Sequence, residues 1–212
     1  MALAYLRDPD EIYRQSFATI RGEAELSRFD AASAEIAIRM IHACGMVDLA
    51  ADIVVSPDFV AAGRAALMAG APVICDAEMV RHGVIRRLLA KENDVICLIG
   101  EPDVAARAKA DATTRSAAQV DLWGDRIDGA VIAIGNAPTA LFRLLERIDA
   151  GGPRPAAIIG LPVGFVGAAE SKAELAGNPR GLPFITVTGR RGGSAMASAV
   201  VNALAGRLES HG

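Results

Sequence analysis

The chain reads as an α/β protein: a single domain over residues 1–212, with a mainly parallel sheet of about five strands and helices on both faces. Three observations predict this. Short β-branched runs recur in the second half, "APVICD" (71–76), "NDVICLIG" (93–100), "GAVIAIG" (129–135), "PAAIIGLP" (155–162) and "PFITVTG" (183–189). Each is apolar throughout rather than alternating, as strands buried on both faces of a parallel sheet are. Each is also followed by a Gly, Pro, Asn or Asp turn and a helix-like segment, so the chain repeats strand, turn and helix with right-handed crossovers. Finally, the composition is 52% hydrophobic but only 4% aromatic, rich in Ala, Val, Ile and Gly, which suits close helix-on-sheet layers.

The first elements are helices. In "DPDEIYRQSFATIRGEAELS", Tyr13, Phe17, Ile20 and Ala24 recur at helical spacing, with Asp10 and Glu11 suited to the first turn. A second helix is expected from about Asp30 to Cys44. Asp30 or Ser33 can cap its start, Ile36, Met40 and Ile41 form an apolar face, and Gly45 stops it. "SPDFVAAGRAALMAG" reads as a third, with Pro57 just inside its cap. The strand and helix alternation follows, with no internal repeat, low-complexity tract or dividing linker.

Several function classes are disfavoured. A formal net charge of −3 gives no basic surface for non-specific nucleic-acid binding. The three cysteines, Cys44, Cys75 and Cys97, sit singly in apolar runs, so neither a disulfide framework nor a zinc site is expected and a reducing compartment fits. No signal-peptide pattern opens the chain, and no uncharged apolar run approaches about 18 residues, so a cytoplasmic protein without a membrane span is expected.

In open parallel sheets ligands gather at the carboxyl ends of the strands. There "GRRGGSAMASAVVNAL" places Gly189, Gly192 and Gly193 ahead of a helix that Ser194 could cap. Arg190 and Arg191 would add charge to an anion site at that helix start. A tight turn with solvated arginines accounts for the same residues. "GLPVGFVGAAESK" is unusually glycine-rich for a structural turn, although Gly164 and Gly167 fit positions of positive φ. Neither loop is a phosphate loop or a dinucleotide fingerprint. Arg115, in "TTRSAAQ", lies in the first turn of an expected helix, where a cation is mildly unfavourable unless it meets an anion or a surface salt bridge.

Of the three histidines, His211 lies in the C-terminal tail and His82 precedes a glycine, which suits a capping or loop role. His42 falls in the last turn of the second helix, where the carbonyl end of the dipole favours a protonated imidazole. Arg39, three residues earlier on the same face, opposes that by like-charge repulsion until an anion neutralises it. On spacing alone a lone histidine on an apolar helix is more often structural, and no second His, Cys pair or close carboxylate completes a metal site.

Taken in order, "YRQSFATIRGEAEL", "RMIHACG", "SPDFV", "PVICDAEMVRHG", "TTRSAA", "IGNAPTALF", "GLPVGFVGAAESK" and "GRRGGSAM" resemble the precorrin-8X methylmutase family of cobalamin biosynthesis, from about residue 5 to 205. The resemblance implies an α/β homodimer with active sites at the subunit interface. It implies an isomerase that shifts a methyl group from C11 to C12 of precorrin-8X to give hydrogenobyrinic acid, with no cofactor and no metal. The family's acid, which protonates the ring C nitrogen, matches His42, and its substrate contacts match Ser16 and Arg39. Arg115 is a further candidate contact. Channelling to neighbouring pathway enzymes would be in keeping with the family. Ala43-Cys44 after the histidine, in place of threonines, points to the metal-free rather than the cobalt-bound substrate. Two alternatives stand beside this reading: a cobalt-precorrin-8 methylmutase of the anaerobic branch, and a tetrapyrrole carrier without turnover.

Overall fold

A computed structural model describes residues 3–206, so His211 lies outside the described residues. The elements run α1 (Pro9–Glu23), α2 (Ala31–Cys44), β1 (Ile53–Val55), α3 (Phe59–Ala69), β2 (Val73–Cys75), α4 (Glu78–Gly83), β3 (Val95–Ile96) and α5 (Pro102–Ala110). They continue as α6 (Arg115–Trp123), β4 (Val131–Ile134), α7 (Pro138–Asp149), β5 (Ala157–Gly160), α8 (Ala168–Gly177), β6 (Phe184–Val187) and α9 (Ser194–Ala205).

The five expected strands are all present, and a sixth joins them. The sheet order is β1-β6-β5-β4-β2-β3, parallel except that β1 runs antiparallel to β6 at one edge. β1 escaped the sequence reading because its three residues lie just after a 3-10 turn (Val47–Ala51), in the half of the chain that reads as helical. An edge strand needs only one partner, and its ladder is extended by the Thr188 N–H, which donates to the Asp52 carbonyl at 2.8 Å.

Side chains in a strand alternate between faces, and here both faces are buried. Val73, Cys75, Val131, Ala133, Ala157, Ile159, Ile185 and Val187 pack with α2, α3 and α9 in one apolar layer. Ile74, Ile132, Ile134, Ile158 and Phe184 face the other way, onto α6, α7 and α8. That is why the strands read as continuous apolar runs.

Asp8 caps α1, accepting from the Asp10 and Glu11 N–H groups, with Pro9 at the first helical position and Asp10 and Glu11 in the first turn as expected. α2 begins as expected at Asp30, whose carboxylate accepts from the Ser33 N–H at 2.9 Å. It ends at Gly45, whose φ of 71° makes the left-handed turn that returns its N–H to the Ile41 carbonyl at 2.7 Å. α3 starts at Phe59, two residues beyond Pro57, so that proline precedes the helix instead of lying inside it. Among the described residues no helix is long and apolar enough to cross a membrane.

Candidate active site

α1 and α2 bring three of the four candidate residues together. Phe17 and Ile20 of α1 are buried in the same layer as Ile38 and Ile41 of α2, and Arg21 pairs with Glu35 across the two helices at 2.7 Å. This holds Ser16, half-buried on α1, beside His42, which is exposed in the last turn of α2. Arg39 lies one turn before His42.

The aromatic pair of α1 sits against both His42 and Arg39. Tyr13 and Phe17 stack with centroids 4.2 Å apart, and the His42 ring lies 5.0 Å from Phe17 and 6.0 Å, edge-on, from Tyr13. The Arg39 guanidinium covers the same two rings, 4.7 Å from Phe17 and 5.2 Å from Tyr13. Helical periodicity marks Tyr13 and Phe17 as core positions, yet only Phe17 is buried. An aromatic pair four residues apart, on either side of Ser16, was the available signal.

His42 borders two cavities. One, of about 510 Å³, is lined by Ser16, Ile12, Gln15, Thr19 and Gly45 as well as His42. The other, of about 590 Å³, is lined by Tyr13, Arg39, His42, Arg87 and Asn202 among others. The imidazole therefore has open space on two sides, with a hydroxyl in one cavity and a guanidinium in the other. Arg87 and Asn202 were not singled out by the sequence. The signal for Asn202 was one amide in a helix whose other polar residues are two serines.

At the carboxyl ends of the strands, the structure favours the tight-turn reading of the glycine-rich loops over the anion site. Arg191 is taken up in ion pairs with Asp48 at 2.8 Å and with Asp52, which raise its pKa further, so it is not presented to a ligand. Lys172 of α8, 1% exposed, donates to the Arg191 carbonyl, and burial lowers its pKa to about 8. This network fastens the 188–193 loop to the 3-10 turn that follows α2. It reaches Cys44, whose thiol is pushed up by burial and drawn partly back by hydrogen bonding from Met46 and the charge of Arg191. Gly193, not Ser194, occupies the cap position of α9, and the buried Ser194 hydroxyl has no partner among the described residues. Arg190 stacks 5.4 Å over the exposed Phe165 of the other glycine-rich loop, where Gly164 and Gly167 do take positive φ.

The turn after β4 is closed from within. Asp76, fully buried at the end of β2, accepts from the N–H groups of Gly135, Asn136 and Ala137 at 2.8, 3.0 and 2.7 Å. Burial raises its carboxyl pKa while those three hydrogen bonds pull it down. A carboxylate of the protein thus fills the anion nest at the start of α7.

Arg115 does not join the cluster. Thr114 caps α6 by accepting from the Ala117 N–H at 3.1 Å, and Arg115 is exposed at the first helical position, lining neither His42 cavity. His82 lies in the last turn of the short α4, 3.3 Å from Glu78. Among the described residues no group of three His, Cys, Asp or Glu side chains converges as metal ligands.

A family model described as precorrin-8X methylmutase matches residues 11–207. The chain belongs to the precorrin-8X methylmutase family. Like the other members, it is an isomerase. Proteins named precorrin-8X methylmutase from Sinorhizobium sp and Pseudomonas aeruginosa are each 58% identical to it. The alignments cover 95% of this chain and 96% of the first relative, and 97% and 99% for the second. The solved precorrin-8X methyl mutase of Thermus thermophilus superposes with a TM-score of 0.83 at 37% identity, covering 92% of this chain and 94% of that one. The family's α/β architecture is therefore the one described above, and the His42 cluster lies inside the matched span.

Proposed function

We propose that the chain moves the methyl group of precorrin-8X from C11 to C12, giving hydrogenobyrinic acid, with His42 as the acid. The observation that carries the reading is the position of His42 between two cavities, Ser16 lining one and Arg39 the other. His42 protonates the ring C nitrogen, which makes the conjugated system more electron-poor. The C11–methyl bond then breaks as the C12–methyl bond forms, and the proton returns to the imidazole, so the step is an isomerisation with no net redox change. A positioned acid contributes on the order of 10²–10⁴-fold, and a macrocycle held in register adds to it. Ser16 supplies a hydrogen bond and Arg39 a charge-assisted contact to a peripheral carboxylate. Tyr13 and Phe17 offer aromatic surface to the macrocycle's edge.

The metal-free substrate is favoured over the cobalt-bound one by Ala43-Cys44 and by the names of the two relatives at 58% identity. Arg115, outside both cavities, fits a homodimer with interface active sites, in which a second copy brings its α6 start to the cavity mouth. Three free cysteines suit a cytoplasmic setting, where the product passes to the next pathway enzyme.

The test is turnover by the purified protein without added metal or nucleotide, followed by the absorption change from precorrin-8X to hydrogenobyrinic acid. Conversion supports the isomerase. Stoichiometric binding with no conversion would make the chain a carrier, and conversion of the cobalt-bound substrate alone would assign it to the anaerobic branch.

A further inference from the structure

The larger cavity beside His42 has a second arginine that neither the motifs nor the family resemblance assigned. Arg87 stands in the 3-10 turn Arg86–Leu88 and lines that cavity together with Arg39 and His42. Most arginines of the chain are engaged: Arg14, Arg21, Arg81, Arg107, Arg143, Arg147, Arg180 and Arg191 in ion pairs, Arg28, Arg64 and Arg154 on backbone carbonyls. Arg87 has no ion pair or hydrogen bond among the described residues.

Its backbone, in contrast, is fixed. Asn202 of α9 accepts from the Ile85 N–H at 2.8 Å and donates to the Gly83 carbonyl at 2.9 Å. The Leu88 and Leu89 N–H groups close the turn onto the Ile85 and Arg86 carbonyls at 2.9 and 3.1 Å. Gly83 lies so close to Ser198 of α9 that a Cβ there would collide with its side chain. The turn is thus sewn to the helix that walls the cavity, and the side chain it carries into that space is left unpaired. A fixed backbone under an uncommitted guanidinium lowers the ordering cost of binding an anion. Solvation of a surface arginine would not require the amide of Asn202 to hold the turn.

We infer that Arg87 binds a peripheral carboxylate of the tetrapyrrole, opposite Arg39, and that Asn202 positions it. The inference rests on the reading of the His42 cavity as the substrate site. Arg87 contributes equally to ground state and transition state, since the carboxylates lie away from the migrating methyl group. Its loss therefore raises KM and leaves kcat.

Steady-state kinetics with precorrin-8X test this on Arg87→Ala, Arg87→Lys, Asn202→Ala and, as a neighbour, Arg86→Ala, which lines a different cavity. Arg87→Ala is expected to raise KM by about tenfold to a hundredfold, the span of one charge-assisted hydrogen bond. kcat should stay near wild type, Arg87→Lys should recover part of the loss, and Arg86→Ala should match wild type. Asn202→Ala should raise KM in the same direction, and Arg87→Ala should add little on top of it. An unchanged KM in Arg87→Ala overturns the inference, as does an equal rise in Arg86→Ala, which would indicate diffuse charge. A His42→Ala variant run in parallel separates the two readings. If it keeps full turnover, the site itself is misplaced, whereas its loss of turnover beside a normal Arg87→Ala removes Arg87 alone.

Discussion

Asp76 offers the sharpest perturbation of the scaffold. Its carboxylate accepts three backbone hydrogen bonds, one oxygen serving Gly135 at 2.8 Å and the other serving Asn136 and Ala137 at 3.0 and 2.7 Å. In Asp76→Asn the amide oxygen keeps the latter two, and the amide nitrogen then faces the buried Gly135 N–H, donor against donor. An orphaned buried N–H costs about 1–3 kcal/mol, and the two surviving bonds lose their charge assistance. Against that, the variant no longer buries a charge, and burial is the leading influence on Asp76. The net expectation is a loss of about 2 kcal/mol, or a fall in Tm of roughly 4–8 °C for a chain of this size. Asp76→Ala removes both acceptor oxygens and with them all three hydrogen bonds, although Asn136 is exposed and can recruit water, so it should lose about 3–5 kcal/mol. Urea unfolding and calorimetry read both. An Asn variant within about 0.5 kcal/mol of wild type would refute the reasoning, because the Gly135 bond would then be dispensable.

Two further predictions concern the same end of the sheet. Lys172 has its pKa lowered to about 8 by burial, against an ordinary 10.5, so between those values the unfolded chain binds more protons and stability rises with pH. The rise amounts to about 3 kcal/mol at most. Lys172→Met should lack it, so the stability difference between the two proteins should move in favour of wild type between pH 7.5 and 10, and a constant difference in urea unfolding would contradict the assignment. Gly192→Ala would push a Cβ into the Leu161 and Pro162 carbonyl oxygens. It should shift the 188–193 loop and cost about 1–3 kcal/mol in urea unfolding, and wild-type stability would show that the approach is not tight.

Much of the scaffold was legible because burial on both faces leaves a plain record. "AVIAI" and "AAIIG" are apolar at every position, and the structure sends alternate residues to opposite layers. The caps at Asp30 and Gly45 were equally readable, since each is a local device of a few residues. β1 was not, for its three residues gain their place only from β6, more than a hundred positions away. The site divides in the same way. His42 and Arg39 are one turn apart and could be placed on a common face from spacing alone, with Ser16 added by the motif that resembles the family's. Whether Arg191 faced a ligand or served the turn stayed open in the sequence because its partners, Asp48 and Asp52, are distant along the chain. Asp76 gave no hint that it would fill the turn after β4 for the same reason.

The central claim is that His42 donates the proton that starts the methyl shift, and single-turnover measurement on the His42→Ala protein addresses it most directly. Precorrin-8X is first titrated into the variant to establish binding, then the first-order conversion of the bound substrate is followed by its absorption spectrum. The account predicts binding within a few-fold of wild type, because Arg39 and Ser16 remain, and conversion slowed by about 10²–10⁴-fold. Conversion of bound precorrin-8X at the wild-type rate would contradict it.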